Sequence, residues 1–66
     1  MKNKYIILCD GKEFAEVSSF SKDAEEILES FFSQNQVEAE YWDTDENGDV
    51  VAVMWTGTYK IKLVSQ

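Results

Sequence analysis

One stretch of the chain has helical periodicity. Ala24, Ile27, Leu28, Phe31 and Phe32 recur at i, i+3, i+4, i+7 and i+8, while the segments on either side read as strands and turns. A single helix can cover only one face of a sheet, so a second face must find other cover. Ser21 is a suitable N-cap, and Asp23 and Glu25 suit the positive end of the helix dipole. The spacing predicts a helix from about Lys22 to Gln34 whose opposite face, with Lys22, Glu26, Glu29 and Ser33, is wet. The Phe pair reads as core and not as a ligand box, because so short a helix needs a dense apolar stripe to stay folded.

Five strand-like runs surround that helix. Tyr5 to Cys9 and Glu13 to Val17 flank Asp10-Gly11, a type I′ turn signal, and read as a hairpin. A two-residue turn pairs Cys9 with Lys12 and Ile7 with Phe14, which puts Tyr5, Ile7, Cys9 and Phe14 on one face and Ile6, Leu8, Ala15 and Val17 on the other. After the helix, Val37 to Trp42 or Asp43, Val50 to Thr56 and Tyr59 to Val64 read as a three-stranded antiparallel meander. The expected class is α+β in ββαβββ order, an antiparallel sheet or sheets with one amphipathic helix on one face.

If Asn47-Gly48 is a two-residue turn, Trp42 lies opposite Val53 and Tyr41 opposite Met54. A second turn at Thr56-Gly57 or Gly57-Thr58 then completes two faces. Val37, Ala39, Tyr41, Val50, Ala52, Met54, Tyr59, Ile61 and Leu63 share the face that takes the helix. The other holds Glu38, Glu40, Trp42, Val51, Val53, Trp55, Lys60, Lys62 and Val64. On this reading its tryptophan-rich middle is met by a partner, a second copy, or the N-terminal hairpin folded across it.

The 66 residues leave room for one domain spanning 1–66, with no proline or repeat to mark a boundary. So short a chain buries only about 60% of the surface its unfolded form exposes. Cys9 alone cannot form an internal disulfide, and with no histidine there is no zinc or iron–sulfur set. Oligomerisation or a permanent partner is the remaining aid to stability. Beside Tyr5-Ile6-Ile7-Leu8, Cys9 reads as a packed thiol. The absence of bridges fits a reducing cytosol. No run reaches the roughly 18 apolar residues of a membrane span, and Met1-Lys2-Asn3-Lys4 leads into too short an apolar run for a signal peptide. The expectation is a soluble, cytoplasmic protein.

Thirteen acidic residues against six lysines and no arginine give a net charge of −7. Direct binding to nucleic acid or to an anionic membrane needs a basic footprint and is disfavoured. Asp43, Asp45, Glu46 and Asp49 place four carboxylates in seven residues, and Glu26 and Glu29 add more on the helix. Such charge often only solubilises. Its functional reading is a set of fixed negative charges that imitates a phosphate track and occupies a basic groove. The loop from Asp43 to Gly48 also matches the first half of a calcium loop, D-x-D-x-N-G, but Met54 stands where the closing glutamate belongs and no helix precedes it. No metal or cofactor is expected.

Catalysis is disfavoured as well. There is no histidine base, no nucleophile beside one and no phosphate loop, since Gly11, Gly48 and Gly57 are isolated turn glycines. In composition the chain resembles the small acidic proteins that phages and mobile elements make to disable host defence enzymes, including anti-CRISPR and anti-restriction inhibitors. That resemblance implies a stoichiometric inhibitor or regulator acting on a protein with a basic, nucleic-acid-binding surface. The expected partner-binding residues are Glu26, Glu29, Trp42, Asp43, Asp45, Glu46, Asp49 and Trp55. Two alternatives are a homodimer or complex subunit that stacks a Trp42/Trp55 sheet face, and a calcium-binding module at residues 43–49.

Overall fold

Asp10 and Gly11 take φ values of 52° and 85°, the left-handed pair that a type I′ turn requires. They join β1 (Asn3–Cys9) to β2 (Lys12–Ser19). The structure, a computed structural model, describes residues 2–65. Met1, which opens the leader reading above, and Gln66 lie outside the described residues. The elements run β1, β2, α1 (Ala24–Gln34), β3 (Tyr41–Thr44), β4 (Val50–Met54) and β5 (Gly57–Ser65), the α+β class and ββαβββ order expected. They form one antiparallel sheet in the order β2-β1-β5-β4-β3. The N-terminal hairpin therefore extends the meander edge to edge, through the β1–β5 pairing, and does not fold across it.

One row of paired residues crosses all five strands: Lys12, Cys9, Tyr59, Ala52 and Trp42. Directly paired residues share a face, and α1 lies over this one. Ile7, Leu28, Phe32, Ala52 and Tyr59 form the buried core, with Cys9, Ala15, Val17, Phe31, Ala39, Trp42, Met54 and Ile61 packed around it. The Phe32 ring meets Tyr59 edge-on at 5.4 Å and lies 6.5 Å from Trp42. The helical stripe is thus core, as its spacing predicts.

Several local expectations change, each for a definable reason. The helix is capped by Asp23, whose Oδ1 accepts the N–H groups of Glu25 at 3.0 Å and Glu26 at 3.4 Å. Ser21 instead takes the Asp23 N–H on its hydroxyl. A carboxylate at the cap adds a favourable charge to the same hydrogen bonds. In β2 a bulge shifts the register, so that Ile7 pairs with Ala15 and not with Phe14. Ala15 and Val17 thereby move to the core face, while Phe14 remains beside Phe31 and Tyr59.

Val37 does not begin a strand. The N–H of Gln36 donates to Ser33 and that of Val37 to Phe32, the pattern of a Schellman turn with Gln36 in the left-handed region at φ 60°. The chain folds back over the helix end, and β3 starts only at Tyr41.

The β3–β4 register is also offset by one residue. Trp42 pairs with Ala52 and Tyr41 with Val53, where a two-residue turn predicts Trp42 opposite Val53 and Tyr41 opposite Met54. Trp42 consequently faces the helix and Tyr41 the opposite side. The β4–β5 turn is Trp55-Thr56, with Met54 paired to Gly57, so Trp55 sits at a hairpin tip with 86% of its surface exposed. The two tryptophans share no face, and no Trp42/Trp55 surface exists to be stacked. The uncovered side of the sheet alternates Ile6, Leu8, Val51 and Val53 with Glu13, Glu16, Lys60 and Lys62, and Lys4 pairs with Glu16 at 3.5 Å.

Two backbone positions should respond in opposite directions. Gly57 has φ 147°, and a Cβ there would meet Asp10 Oδ2 at 2.8 Å and Cys9 Sγ at 2.9 Å. Asp10 has little freedom to withdraw, because its carboxylate accepts the Thr58 N–H. Gly57→Ala should lower stability by about 1–3 kcal/mol. Gln36→Gly should raise it by about 0.5–1 kcal/mol, by removing the left-handed penalty of a side chain. Urea unfolding midpoints moving in the same direction would contradict this account of the turns.

Candidate interaction surface

Asp45 organises the acidic loop. Its Oδ1 accepts the N–H groups of Asn47 at 2.9 Å and Asp49 at 3.0 Å, and its Oδ2 accepts Lys60 Nζ at 2.6 Å. Lys60 also approaches Asp49 at 3.4 Å. Gly48 donates its N–H to the Asp45 carbonyl and takes φ 84°, closing a three-residue hairpin loop of Glu46, Asn47 and Gly48. Asp43 accepts the N–H of its neighbour Thr44. The positions that matched a calcium loop thus build a hairpin tip, with both Asp45 oxygens engaged. Among the described residues no group of three or more potential ligands is arranged to hold a metal ion.

The hydrogen bond from Lys60, followed by the N–H of Asp49, holds the Asp45 carboxyl below the ordinary aspartate range. The same hydrogen bond to Asp45 raises Lys60. Two of the loop's four negative charges therefore face one ammonium, a pairing the sequence reading did not foresee. Lys60 lies two strands from β3, and only the register brings it to the loop.

The helix face is different. Asp23, Glu25, Glu26 and Glu29 line its outer surface, and none of them makes an ion pair among the described residues. Glu26 and Glu29 are expected there; Asp23 and Glu25 join them because the cap falls at Asp23, two residues later than Ser21, which puts both acidic side chains at the helix start.

Glu29 also borders a groove with Phe32, Ser33, Gln36, Val37, Glu38, Ala39 and Trp42. The structure therefore brings Glu26, Glu29 and Trp42 to the helix side of the molecule and gathers Asp45 and Asp49 around Lys60. It leaves Trp55 alone at its tip. Glu38 and Gln36 were missed as groove residues because the Schellman turn that positions them carries no glycine to announce it.

No helix among the described residues is long and apolar enough to cross a membrane. Comparison with models of known protein families, with characterised proteins and with solved structures finds no match.

The Asp45–Lys60 pair gives stability a definite pH dependence. Asp45 titrates lower in the folded state, so its contribution is complete above the unfolded value of about 3.9 and is lost as pH falls through the folded value. Lys60 titrates higher, so its contribution is complete below about 10.4 and is lost as pH rises through its folded value. Asp45→Asn should lower the melting temperature at neutral pH and flatten its fall on acidification below about pH 4. An unchanged acid limb in that variant would remove Asp45 from the loop's electrostatics.

Proposed function

We propose that the protein is a stoichiometric inhibitor or regulator, acting by contact and without catalysis of its own. In this reading it lays its acidic helix face on the Lys/Arg-rich, nucleic-acid-binding surface of a partner protein in the cytoplasm. One observation carries the proposal. Asp23, Glu25, Glu26 and Glu29 lie together on the helix without a counter-ion among the described residues, whereas Asp45 and Asp49 already share Lys60. Side chains three and four apart on a helix stand about 5–6 Å from one another, so these residues form a track of closely spaced negative charge.

Exposed charges of this kind set encounter rate and orientation more than final affinity. Glu46 and Asp43 add to the field from the loop, and Trp55, exposed on its turn, can supply an aromatic anchor of the type that carries binding energy. The anti-CRISPR and anti-restriction inhibitors that the chain resembles in composition are one setting for such a protein.

Surface plasmon resonance against nucleic-acid-binding enzymes of the host tests the reading. Association with the partner should weaken steeply as salt rises, because the Debye length shortens to about 8 Å near physiological strength, and duplex DNA should compete. Glu25→Gln, Glu26→Gln and Glu29→Gln together should slow association more than Asp45→Asn with Asp49→Asn. A salt-insensitive complex that binds DNA undiminished would contradict the proposal.

A further inference from the structure

The groove at the C-terminal end of α1 has a composition unlike the rest of the surface. The Schellman turn carries Val37 back toward Phe32, and the chain then passes through Glu38 before entering β3. The half-buried Trp42 gives the groove its aromatic surface, backed by the buried Phe32 ring, whose centroid lies 6.5 Å away with the planes tilted by 43°. Glu29 and Glu38 bring two exposed carboxylates to the lining, Gln36 contributes an amide, and no lysine is part of it. Neither carboxylate has an ion-pair partner among the described residues.

An aromatic surface beside unpaired carboxylates suits one kind of group better than others. A guanidinium is planar and weakly hydrated, so it stacks on an indole face while its N–H groups donate in the ring plane to carboxylates. An ammonium satisfies the charge but is more strongly hydrated and has no flat face to stack. An apolar side chain would use the floor and leave the carboxylates without a counter-charge.

We infer that this groove receives an arginine side chain of the partner, with the guanidinium over Trp42 and its N–H groups donated to Glu29 and Glu38. The inference rests on the reading of the acidic helix face as the docking surface, and it names the partner group that the face engages. It also separates the two tryptophans: Trp42 belongs to the groove, and Trp55 stands apart on its own turn.

That separation supplies an internal control for the test. The full chain, labelled with ¹⁵N, is titrated at low salt with acetylated, amidated Gly-Arg-Gly and, separately, Gly-Lys-Gly. The expected result is a saturable shift of the Trp42 indole N–H with the arginine peptide and little movement of the Trp55 indole. Binding of the lysine peptide should be several-fold weaker, and Glu29→Gln with Glu38→Gln should weaken the arginine peptide by roughly tenfold. Both glutamates are exposed, so this double variant should fold; its unchanged backbone spectrum checks that.

Equal binding of the two peptides overturns the arginine assignment. Shifts confined to the amides around Glu25 and Glu26, with Trp42 unmoved, overturn the groove and leave the acidic-face reading standing. No saturable shift anywhere overturns the groove and withdraws support from the acidic face as well.

Discussion

The carboxylate of Asp45 takes two backbone N–H groups on one oxygen and the Lys60 ammonium on the other, and the loop it closes decides where the aromatic residues of β3 lie. Three loop residues with Gly48 in the left-handed region hold Thr44 opposite Val50. A loop shorter by one would reverse the facing of β3, because side chains alternate with a period of two. Trp42 would leave the helix, Tyr41 would take its place, and the aromatic contact with Phe32 would be lost. Asp45 also reaches β5 through Lys60, so one side chain ties together the loop and the strand that joins the two halves of the sheet.

With Trp42 on the helix side, the question raised by a single helix has a simpler answer than a missing cover. The open face of the sheet is not a tryptophan surface. Its apolar residues alternate with lysines and glutamates, whose long stems can shield neighbouring apolar groups while their charges remain in water. Val51 is only 6% exposed although no helix lies over its side of the sheet. The outer strand β2 carries a bulge and two glutamates, Glu13 and Glu16, features that discourage pairing with another chain. Charge on this side of the molecule keeps a sheet face and edge in water, whereas Glu25, Glu26 and Glu29 on the helix have no ion-pair partner among the described residues.

The parts of the fold that were legible in the sequence are those set by local chemistry. The apolar stripe from Ala24 to Phe32, the Asp10-Gly11 turn and the order of strands and helix each depend on residues close together in the chain. What escaped depends on a count or on a distant residue. Asn47-Gly48 signals a turn but not whether two or three residues close it, and that difference of one moved Trp42 across the sheet. The bulge at Phe14 and Ala15 has no marker of its own. The left-handed Gln36 lacks the glycine that usually announces such a cap, so the sequence pattern of a strand runs on to Val37 although β3 starts only at Tyr41. The acidic character of the helix surface was legible through Glu26 and Glu29, whereas the sharing of Lys60 by Asp45 and Asp49 depends on which strand Lys60 sits beside.

Trp42 links the Asp45 loop to the core and to the groove beside α1. Nuclear Overhauser contacts from the Trp42 ring test that placement directly. Contacts to the Phe32 ring and the Ala52 methyl, with the Trp55 ring showing few long-range contacts, are the predicted result. Contacts from Trp42 to the Val53 methyls and the Lys60 side chain, without any to Phe32, would put the ring on the open face and contradict the register on which the site is built.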